Sequence, residues 1–224
     1  MRQIPLGLGP NEARSFDNFL TGSNLALVEQ LRGLQAHERP TPAYLWGEQG
    51  AGKSHLLRAL AYEVQGAGGR VGWFDASTSA PWEFDETWRM VVFDDCDAYD
   101  AQRQHAAFAL FVQASMHGMI IAAAGALPPV DLPLRDDLRT RLGWGHVLHV
   151  LALAESERRA VLRRDADRRG IILSDEVMSY LLTRFSRDLG SLIGLLDRLD
   201  RFALATHRAV TVPLLKQMLA EEGA

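Results

Sequence analysis

The sequence predicts an α/β domain with a parallel sheet flanked by helices, followed by a small all-α domain. Short apolar segments typical of buried strands alternate with helical patterns up to about residue 150, as in a parallel sheet covered on both faces. After Leu153 only helical patterns follow. Between the first strand and the next helix, residues 47–54 fit the phosphate-binding pattern G-x-x-x-x-G-K-[ST]. We therefore expect a first domain at residues 16–152 and a second at 153–224.

Composition excludes several classes of protein. The chain of 224 residues is 47% hydrophobic and 23% charged, as in an ordinary globular protein, and its formal net charge is -4. Such a charge provides no general attraction for nucleic acid or an anionic membrane. No apolar run approaches the ~20 residues of a membrane-spanning helix, and the N-terminus lacks the apolar core of a signal peptide. The single cysteine, Cys96, excludes an intrachain disulfide and a cysteine-based zinc site, so we expect a cytoplasmic protein.

The elements of the first domain follow from local patterns. Residues 1–15 contain two prolines and two glycines before residue 11 and predict an extended arm. Apolar residues at helical spacing predict helices over residues 24–34, 54–64 and 104–116. Strands are predicted at residues 44–46, 70–75, 90–94, 119–124 and 146–150.

Four helices are predicted for the second domain. The first covers residues 155–169 and ends before Gly170, a suitable residue after a helix end. Ser174 is a good N-cap for the second helix. The third covers residues 189–205, and the fourth starts at Val212-Pro213, because proline is tolerated in a first turn. The six arginines and four acids of the first of these helices predict a solvated face.

Each fixed position of the glycine-rich segment meets a requirement of a bound triphosphate. Glycines allow backbone N–H groups to turn toward anionic oxygens, and the positive end of the following helix faces the phosphates. Lys53 would contact the β- and γ-phosphates, and Ser54 would ligate Mg²⁺. A chance glycine-rich turn is the alternative, which the order of strand, loop and helix disfavours. The predicted nucleotide-binding residues here are Gly47, Gln49, Gly50, Ala51, Gly52, Lys53 and Ser54.

A second part of the same site follows the apolar segment 90–93, where Asp94 and Asp95 stand next to each other. Ligands of open α/β sheets bind at the carboxyl ends of the strands. Asp94 would hold Mg²⁺, directly or through water, and Asp95 would orient an attacking water. By themselves the two acids fit a strand that runs into an acidic turn equally well. Downstream of the phosphate-binding loop, the catalytic interpretation is favoured.

These segments together resemble the AAA+ ATPases, which combine a phosphate loop, an acidic strand end and a helical lid. Two further segments are similar to the nucleotide domain of the bacterial replication initiator DnaA, namely Phe16-Asp17-Asn18-Phe19 with Gly22-Ser23-Asn24, and Leu138-Arg139-Thr140-Arg141-Leu142-Gly143-Trp144-Gly145. The resemblance covers about residues 15–219. It implies an AAA+ P-loop NTPase domain with an all-α lid, ADP or ATP with Mg²⁺ as cofactors, and further nucleotide-binding residues at Phe19, His55 and Arg187.

No helix-turn-helix domain follows the lid in this sequence, so the resemblance extends to the short DnaA-related regulators of the Hda family. In that family an N-terminal glutamine-and-leucine peptide docks on the sliding clamp of DNA polymerase. An extended segment can place apolar side chains in a pocket while a glutamine forms oriented hydrogen bonds; the alternative is a frayed terminus. The residues that look like this peptide are Gln3, Ile4, Leu6 and Leu8.

The resemblance also implies that Arg141 is an arginine finger, which acts on ATP held by DnaA and thereby restrains replication initiation. Arg139 and Arg141 would point the same way if their segment were extended or a loop. A trans-acting arginine contributes several orders of magnitude in rate. The alternative is a solvated arginine paired with Asp136 or Asp137, and such surface pairs contribute little.

Three departures from the AAA+ pattern predict weak hydrolysis by the chain itself. Residues 119–125 offer alanine and glycine where a polar sensor usually stands, and Gly190 occupies the position of the lid arginine, with Arg187, one turn earlier, as a candidate substitute. Asp95 is one methylene shorter than a glutamate. A self-hydrolysing AAA+ ATPase, such as a helicase-loader-like protein, is the alternative function. Net charge opposes a DNA-binding module, and a homo-oligomer stays open.

Overall fold

The computed structural model describes residues 14–37, 40–185 and 189–222, and it divides the chain into two compact units. The first unit ends at Ala152 and the second begins at Leu153. Within the described residues, no helix is both long and apolar enough to span a membrane. Residues 1–13 of the predicted arm and the position of Arg187 lie outside the described residues.

The first unit contains a five-stranded sheet in which all neighbouring strands are parallel. The strands are β1 (Ala43–Trp46), β2 (Arg70–Phe74), β3 (Trp88–Phe93), β4 (Ile120–Gly125) and β5 (His146–His149). Their order is β2-β3-β4-β1-β5, so β1 lies between β4 and the edge strand β5. The predicted α/β class is thereby confirmed, with strand ends within two residues of the prediction.

Helices cover both faces of this sheet because neighbouring residues of each strand point to opposite sides. Leu45 and Val92 belong to the core under one face, and Tyr44 and Phe93 belong to the core under the other. The helices that contribute to these cores are α1 (Leu25–Gly33), α2 (Lys53–Gly66), α3 (Ala101–Met116) and α4 (Asp136–Leu142). Packing on both faces fixes the carboxyl ends of β1, β3 and β4, where the site lies.

Helix α3 begins three residues earlier than the apolar pattern predicts. Asp100 is its N-cap, and its side chain accepts a hydrogen bond from the Arg103 backbone N–H at 2.9 Å. Capping by a carboxylate satisfies one of the N–H groups that have no partner within the helix. Residues 101–103 therefore belong to the helix, although Gln102 and Arg103 carry no apolar signal.

The second unit is a four-helix domain, as predicted. Its helices are α5 (Glu155–Arg168), α6 (Asp175–Arg184), α7 (Leu189–Thr206) and α8 (Val212–Glu222), packed around a leucine-rich core. Ser174 caps α6 by accepting from the Val177 N–H at 3.3 Å, and Gly170 follows α5 with a φ of 71°. The prediction that the arginines and acids of α5 form a solvated face holds only in part. Asp165 is buried, and its carboxylate pairs with Arg169 at 3.0 Å.

The Asn24 side chain joins the start of the first unit to the end of its sheet. This residue is only 3% exposed. Its amide donates to the Leu151 carbonyl at 2.9 Å and accepts from the Leu151 N–H at 2.8 Å. Both backbone groups of Leu151, two residues beyond β5, are therefore satisfied by one side chain. This contact gives a structural role to the asparagine of the Gly22-Ser23-Asn24 segment.

Replacing Asn24 with alanine should destabilise the first unit by about 1–2 kcal/mol, because a buried side chain is lost and both Leu151 backbone groups lose their partner at a partly buried place. Chemical denaturation followed by tryptophan fluorescence measures this unit, since all five tryptophans precede residue 152. Gln30→Ala is the matched control, because that amide is on an exposed helix surface, and its effect should stay within about 0.5 kcal/mol. Equal effects of the two substitutions would contradict the role given to Asn24.

Candidate functional site

The glycine-rich loop connects β1 to α2 and turns back on itself before the helix begins at Lys53. Gly52 has a φ of 102°, which side-chain-bearing residues rarely adopt. A Cβ at Gly52 would lie 2.7 Å from the Phe19 ring. The loop therefore requires glycine here for its backbone conformation and for the close approach of Phe19.

The Phe16–Phe19 segment packs beside this loop. The Phe19 and His55 rings lie 5.3 Å apart, and His55 Nε2 is 3.0 Å from the Ser15 carbonyl oxygen. Burial lowers the pKa of His55 below its usual 6.5, so the imidazole is neutral at neutral pH. His55 thus packs at the start of α2, next to Phe19.

The Lys53 amine lies inside the loop. Its side chain is buried, and Nζ donates to the carbonyl oxygens of Gly47 at 2.7 Å and Glu48 at 3.0 Å. Desolvation lowers the pKa of this amine, while the carboxylates of Asp97, Asp95 and Asp94, in that order, act to raise it. A buried cation surrounded by loop carbonyls and followed by a helix N-terminus fits a polyphosphate.

Asp94 and Ser54 meet at the end of β3, as a shared role at Mg²⁺ requires. Asp94 is 5% exposed; burial raises its pKa, and a hydrogen bond with the Ser54 side chain acts to lower it. Among the described residues there is no group of three or more metal-ligating side chains. A hydroxyl and one carboxylate fit Mg²⁺, which binds few protein ligands and takes the rest from phosphates and water.

Asp95 has a backbone conformation that the sequence does not reveal. Its φ of 50° and ψ of 46° are left-handed, which is uncommon for residues other than glycine. Its N–H donates to the Asp94 Oδ1 at 3.1 Å, and the residue is exposed. Unfavourable backbone conformations concentrate at functional sites. The conformation sets the direction of the Asp95 side chain at the carboxyl edge of the sheet.

The end of β4 has no space for a polar sensor side chain. A Cβ at Gly125 would lie 2.3 Å from the Tyr44 hydroxyl and 3.0 Å from Asp97 Oδ1. The Tyr44 hydroxyl donates to the Leu127 carbonyl at 2.8 Å, and Asp97 Oδ1 accepts from the Ala126 N–H at 2.9 Å. The sequence indicates that β4 ends without a polar sensor side chain. It does not identify Tyr44 and Asp97 as the side chains that occupy this space.

The arginine segment is a helix, so the extended or loop conformation in which Arg139 and Arg141 would point the same way is not present. Helix α4 covers Asp136–Leu142, with Leu138 and Leu142 buried on one face. Residues two apart on a helix differ by about 200° in direction, so Arg139 and Arg141 do not point the same way. The apolar pair Leu138 and Leu142, four residues apart, was the sequence signal for this helix.

The two arginines of α4 have different partners. Arg139 forms an ion pair with Asp136 at 2.6 Å, which is the surface pairing considered as the alternative. Arg141 lies over the Trp144 ring, with 4.7 Å from its Cζ to the ring centroid, and Trp144 is 67% exposed. Trp144 thus contacts Arg141 directly at the surface of the first unit.

Several predicted site residues are not brought together by the described structure. The clamp peptide residues and Arg187 lie outside it. Gly190 is in the first turn of α7 in the second unit. Gln49 is exposed at the tip of the loop, whereas Ala51 is buried beneath it. The predicted residues outside the described parts of the chain are Gln3, Ile4, Leu6, Leu8 and Arg187.

Comparison with known proteins agrees with this architecture. Residues 155–219 match the family described as the lid domain of Hda. An uncharacterized protein of Haemophilus influenzae is 31% identical over 227 residues, in an alignment that covers 97% of this chain and 98% of that protein.

Solved structures of DnaA are similar in fold. Domain III of the replication initiation protein DnaA from Thermotoga maritima matches with a TM-score of 0.74 at 20% identity, covering 94% of this chain and 97% of that chain. AMPPCP-bound DnaA from Aquifex aeolicus matches with a TM-score of 0.65 at 21% identity, covering 84% of this chain and 65% of that chain. At these identities the likeness concerns the fold.

Replacing Gly125 with alanine should destabilise the first unit by about 1–3 kcal/mol, because the new Cβ overlaps the Tyr44 hydroxyl. In a Tyr44→Phe background the cost should be smaller by about 1 kcal/mol, since the overlapping oxygen is gone. Tryptophan-detected denaturation of the four proteins measures this coupling. Gly66→Ala is the control, because a Cβ there meets nothing within 4 Å. Additive effects of the Gly125 and Tyr44 substitutions would contradict the contact.

Proposed function

The chain belongs to the Hda-like, DnaA-related AAA+ proteins, and we propose that it binds adenine nucleotide, docks on the sliding clamp of DNA polymerase and promotes hydrolysis of ATP bound to DnaA. Such an activity in the cytoplasm negatively regulates the initiation of DNA replication, because it converts the initiator from its ATP-bound to its ADP-bound form.

Nucleotide binding rests on the loop around Lys53. The buried amine, the glycine at a φ of 102° and the Ser54–Asp94 pair form a cradle for phosphates and Mg²⁺. A similar fold in the Aquifex aeolicus initiator is described as bound to AMPPCP, an ATP analogue. In this chain Lys53 would neutralise phosphate charge, and Ser54 and Asp94 would hold Mg²⁺, which would supply further positive charge next to the phosphates.

The observation that best supports the proposed action on DnaA is the environment of Arg141. Within residues 14–37, 40–185 and 189–222, its guanidinium forms no ion pair and instead lies on the exposed Trp144. A guanidinium that no carboxylate neutralises can donate to the oxygens of a γ-phosphate in another protein. Trp144 limits the directions that the side chain takes, which reduces the entropy lost on docking.

The same geometry opposes strong hydrolysis at the chain's own site. The space above Gly125 is occupied by the Tyr44 hydroxyl and the Asp97 carboxylate, so no side chain from β4 orients a water there. Lys53 and Asp94 can hold a nucleotide without a polar side chain on β4. We therefore assign the chain's nucleotide to a structural role, and its catalytic contribution to Arg141.

Docking on the sliding clamp rests on the sequence of the N-terminal residues. Gln3, Ile4, Leu6 and Leu8 fit a peptide that presents apolar anchors and one oriented amide. Attachment to a clamp raises the local concentration of Arg141 near DnaA on DNA, because tethering makes the second contact intramolecular. Direct sequence-specific DNA binding has no part in this proposal.

A self-hydrolysing ATPase is the second candidate. The left-handed backbone of Asp95 favours it, since this conformation holds a carboxylate at the edge where an attacking water would stand. Substantial ATP turnover by the isolated chain, abolished by Lys53→Ala, would support this candidate over the first.

The Arg141→Ala substitution should reduce the stimulation of ATP hydrolysis by DnaA about 10³-fold, because a trans-acting arginine contributes on the order of 10³-fold or more. The measurement is hydrolysis of DnaA-bound ATP with clamp loaded on DNA. Arg139→Ala is the matched control on the same helix, because Arg139 is already paired with Asp136. Full stimulation by Arg141→Ala would refute the assignment of the finger.

Deleting residues 1–8 should abolish binding to the sliding clamp and leave nucleotide affinity unchanged, because the proposed anchors lie in that segment and the phosphate loop lies elsewhere in the chain. Surface plasmon resonance on immobilised clamp measures the first effect, and calorimetric titration with ADP measures the second. Substituting Pro5 and Gly7 with alanine, with the four proposed anchors intact, should preserve binding better than the deletion. Undiminished clamp affinity after the deletion would show that the anchors lie outside this segment.

A further inference from the structure

The backbone N–H of Arg135, the residue before helix α4, is bound by a side chain from helix α3. It donates to Gln104 Oε1 at 3.0 Å. Through Nε2, the same amide donates to the Tyr99 carbonyl oxygen at 2.8 Å. Both partners are backbone groups of fixed polarity, so the amide is held in one orientation. Gln104 therefore joins the segment that follows β3 to the start of the helix that carries Arg141.

Tyr99 is a fixed support for this amide bridge. The residue is only 4% exposed, and its hydroxyl donates to the Phe74 carbonyl oxygen, at the end of β2, at 2.9 Å. Its ring belongs to the same core as the buried leucines of α4. A buried tyrosine whose hydroxyl has a partner is held at both ends of its side chain. The bridge thus ties the start of α4 to the sheet.

Helix α4 depends on such a restraint because it is short. It has seven residues, whereas an isolated helix needs about 12 or more to persist in water. Leu138 and Leu142 anchor one face in the core, but apolar contacts are not directional. The first hydrogen bond of the helix, from the Arg139 N–H to the Arg135 carbonyl oxygen at 2.9 Å, starts at the residue that Gln104 holds. Gln104 therefore supplies a directional restraint at the start of α4.

The Arg135 side chain adds contacts at the same place. Its guanidinium donates to the Asp137 carboxylate at 2.6 Å and to His105 Nδ1 at 3.1 Å. Arginine has no acceptor, so the imidazole nitrogen accepts. These contacts hold the side chain of Arg135, whereas Gln104 holds its backbone. The two kinds of contact can therefore be removed separately.

We propose that Gln104 is a positioning residue for Arg141, and that its amide bridge fixes the place from which the Arg141 guanidinium reaches a phosphate on the partner protein. This inference rests on the proposed action of Arg141 and adds the residue that aims it. Arg141 lies six residues beyond Arg135, about 9 Å along the helix axis, so a tilt at the helix start displaces the guanidinium. A misplacement of about 1 Å can cost about 10²-fold in rate.

The test is single-turnover hydrolysis of DnaA-bound ATP, with clamp on DNA, at increasing concentrations of the full-length protein. Gln104→Met keeps the length of the side chain and removes both hydrogen bonds. The maximal rate should fall about tenfold while the half-saturating concentration stays within about twofold, because misplacement of a catalytic group affects the transition state more than binding. Gln102→Met, at an exposed position of the same helix, is the matched control and should change neither quantity.

A conservative variant separates the two hydrogen bonds. In Gln104→Glu the carboxylate still accepts from the Arg135 N–H but cannot donate to the Tyr99 carbonyl oxygen. Since α3 is itself held in the core, this variant should retain more of the maximal rate than Gln104→Met. A loss as large as in Gln104→Met would contradict the role given to the hydrogen bond with Arg135.

The same hydrogen bond can be removed from its other end if Gln104→Met does not fold. Arg135→Ala removes the guanidinium and keeps the N–H, whereas Arg135→Pro removes both. The φ of -54° at this position suits proline. The maximal rate should be lower for the proline variant than for the alanine variant, and equal rates would contradict the inference.

A spectroscopic measurement needs no partner protein. Trp144 lies just beyond α4, with its ring centroid 4.7 Å from the Arg141 Cζ. In protein labelled with 5-fluorotryptophan, the Trp144 fluorine resonance, assigned with Trp144→Phe, should shift or broaden in Gln104→Met and stay unchanged in Gln102→Met. An unchanged Trp144 resonance in Gln104→Met would show that the bridge does not set the position of α4.

The results distinguish this inference from the proposed function. A lower maximal rate at an unchanged half-saturating concentration, with a changed Trp144 resonance, supports the inference. A wild-type maximal rate in Gln104→Met, or a loss confined to the half-saturating concentration, overturns the inference and leaves the proposed function intact. If the wild-type protein does not stimulate hydrolysis, the proposed function fails and the inference fails with it.

Discussion

The contact between Tyr44 and Gly125 is the constraint on which the rest of this site depends. Tyr44 belongs to β1, and its hydroxyl projects over the end of the neighbouring strand β4, where it donates to the Leu127 carbonyl at 2.8 Å. A side chain at Gly125 would overlap that hydroxyl. Since the two strands are fixed by cores on both faces of the sheet, neither can move aside without loss of packing. The carboxyl edge of the sheet therefore keeps its phosphate loop and acidic strand end, but not a polar group on β4.

Two cations illustrate the resulting division of roles. Lys53 is buried and held by the carbonyls of its own loop, which suits a long-lived complex with a nucleotide. Arg141 lies on an exposed tryptophan at the end of a short helix, and no carboxylate among the described residues neutralises it. Its neighbour Arg139 is neutralised by Asp136. Under the proposed function, one cation serves the chain's own ligand and the other is available to a partner. The chain would then retain the AAA+ fold while its catalytic contribution is made in trans.

The sequence predicted the fold well because short apolar runs indicate buried strands, and apolar residues at helical spacing indicate most of the helices. It also predicted that Ser54 and Asp94 meet. Ser54 ends the phosphate-binding loop after β1 and Asp94 follows β3, so both lie at the carboxyl edge of one parallel sheet. Helix α4 was missed because its two buried leucines are separated by charged residues in a segment of only seven residues. Tyr44, Asp97 and Gly125 meet through strand pairing across about eighty residues, which no local pattern specifies. The left-handed backbone of Asp95 likewise depends on its surroundings.

The central claim is that this chain makes its catalytic contribution to ATP held by another protein. The most direct test is a single-turnover assay in which DnaA carries radiolabelled ATP, the chain is preloaded with unlabelled ADP, and clamp is present on DNA. We expect rapid conversion of the labelled ATP to ADP when the chain is added, and slow conversion without it. The account would be contradicted if the labelled ATP on DnaA were hydrolysed at the same slow rate while the chain by itself turned over free ATP rapidly.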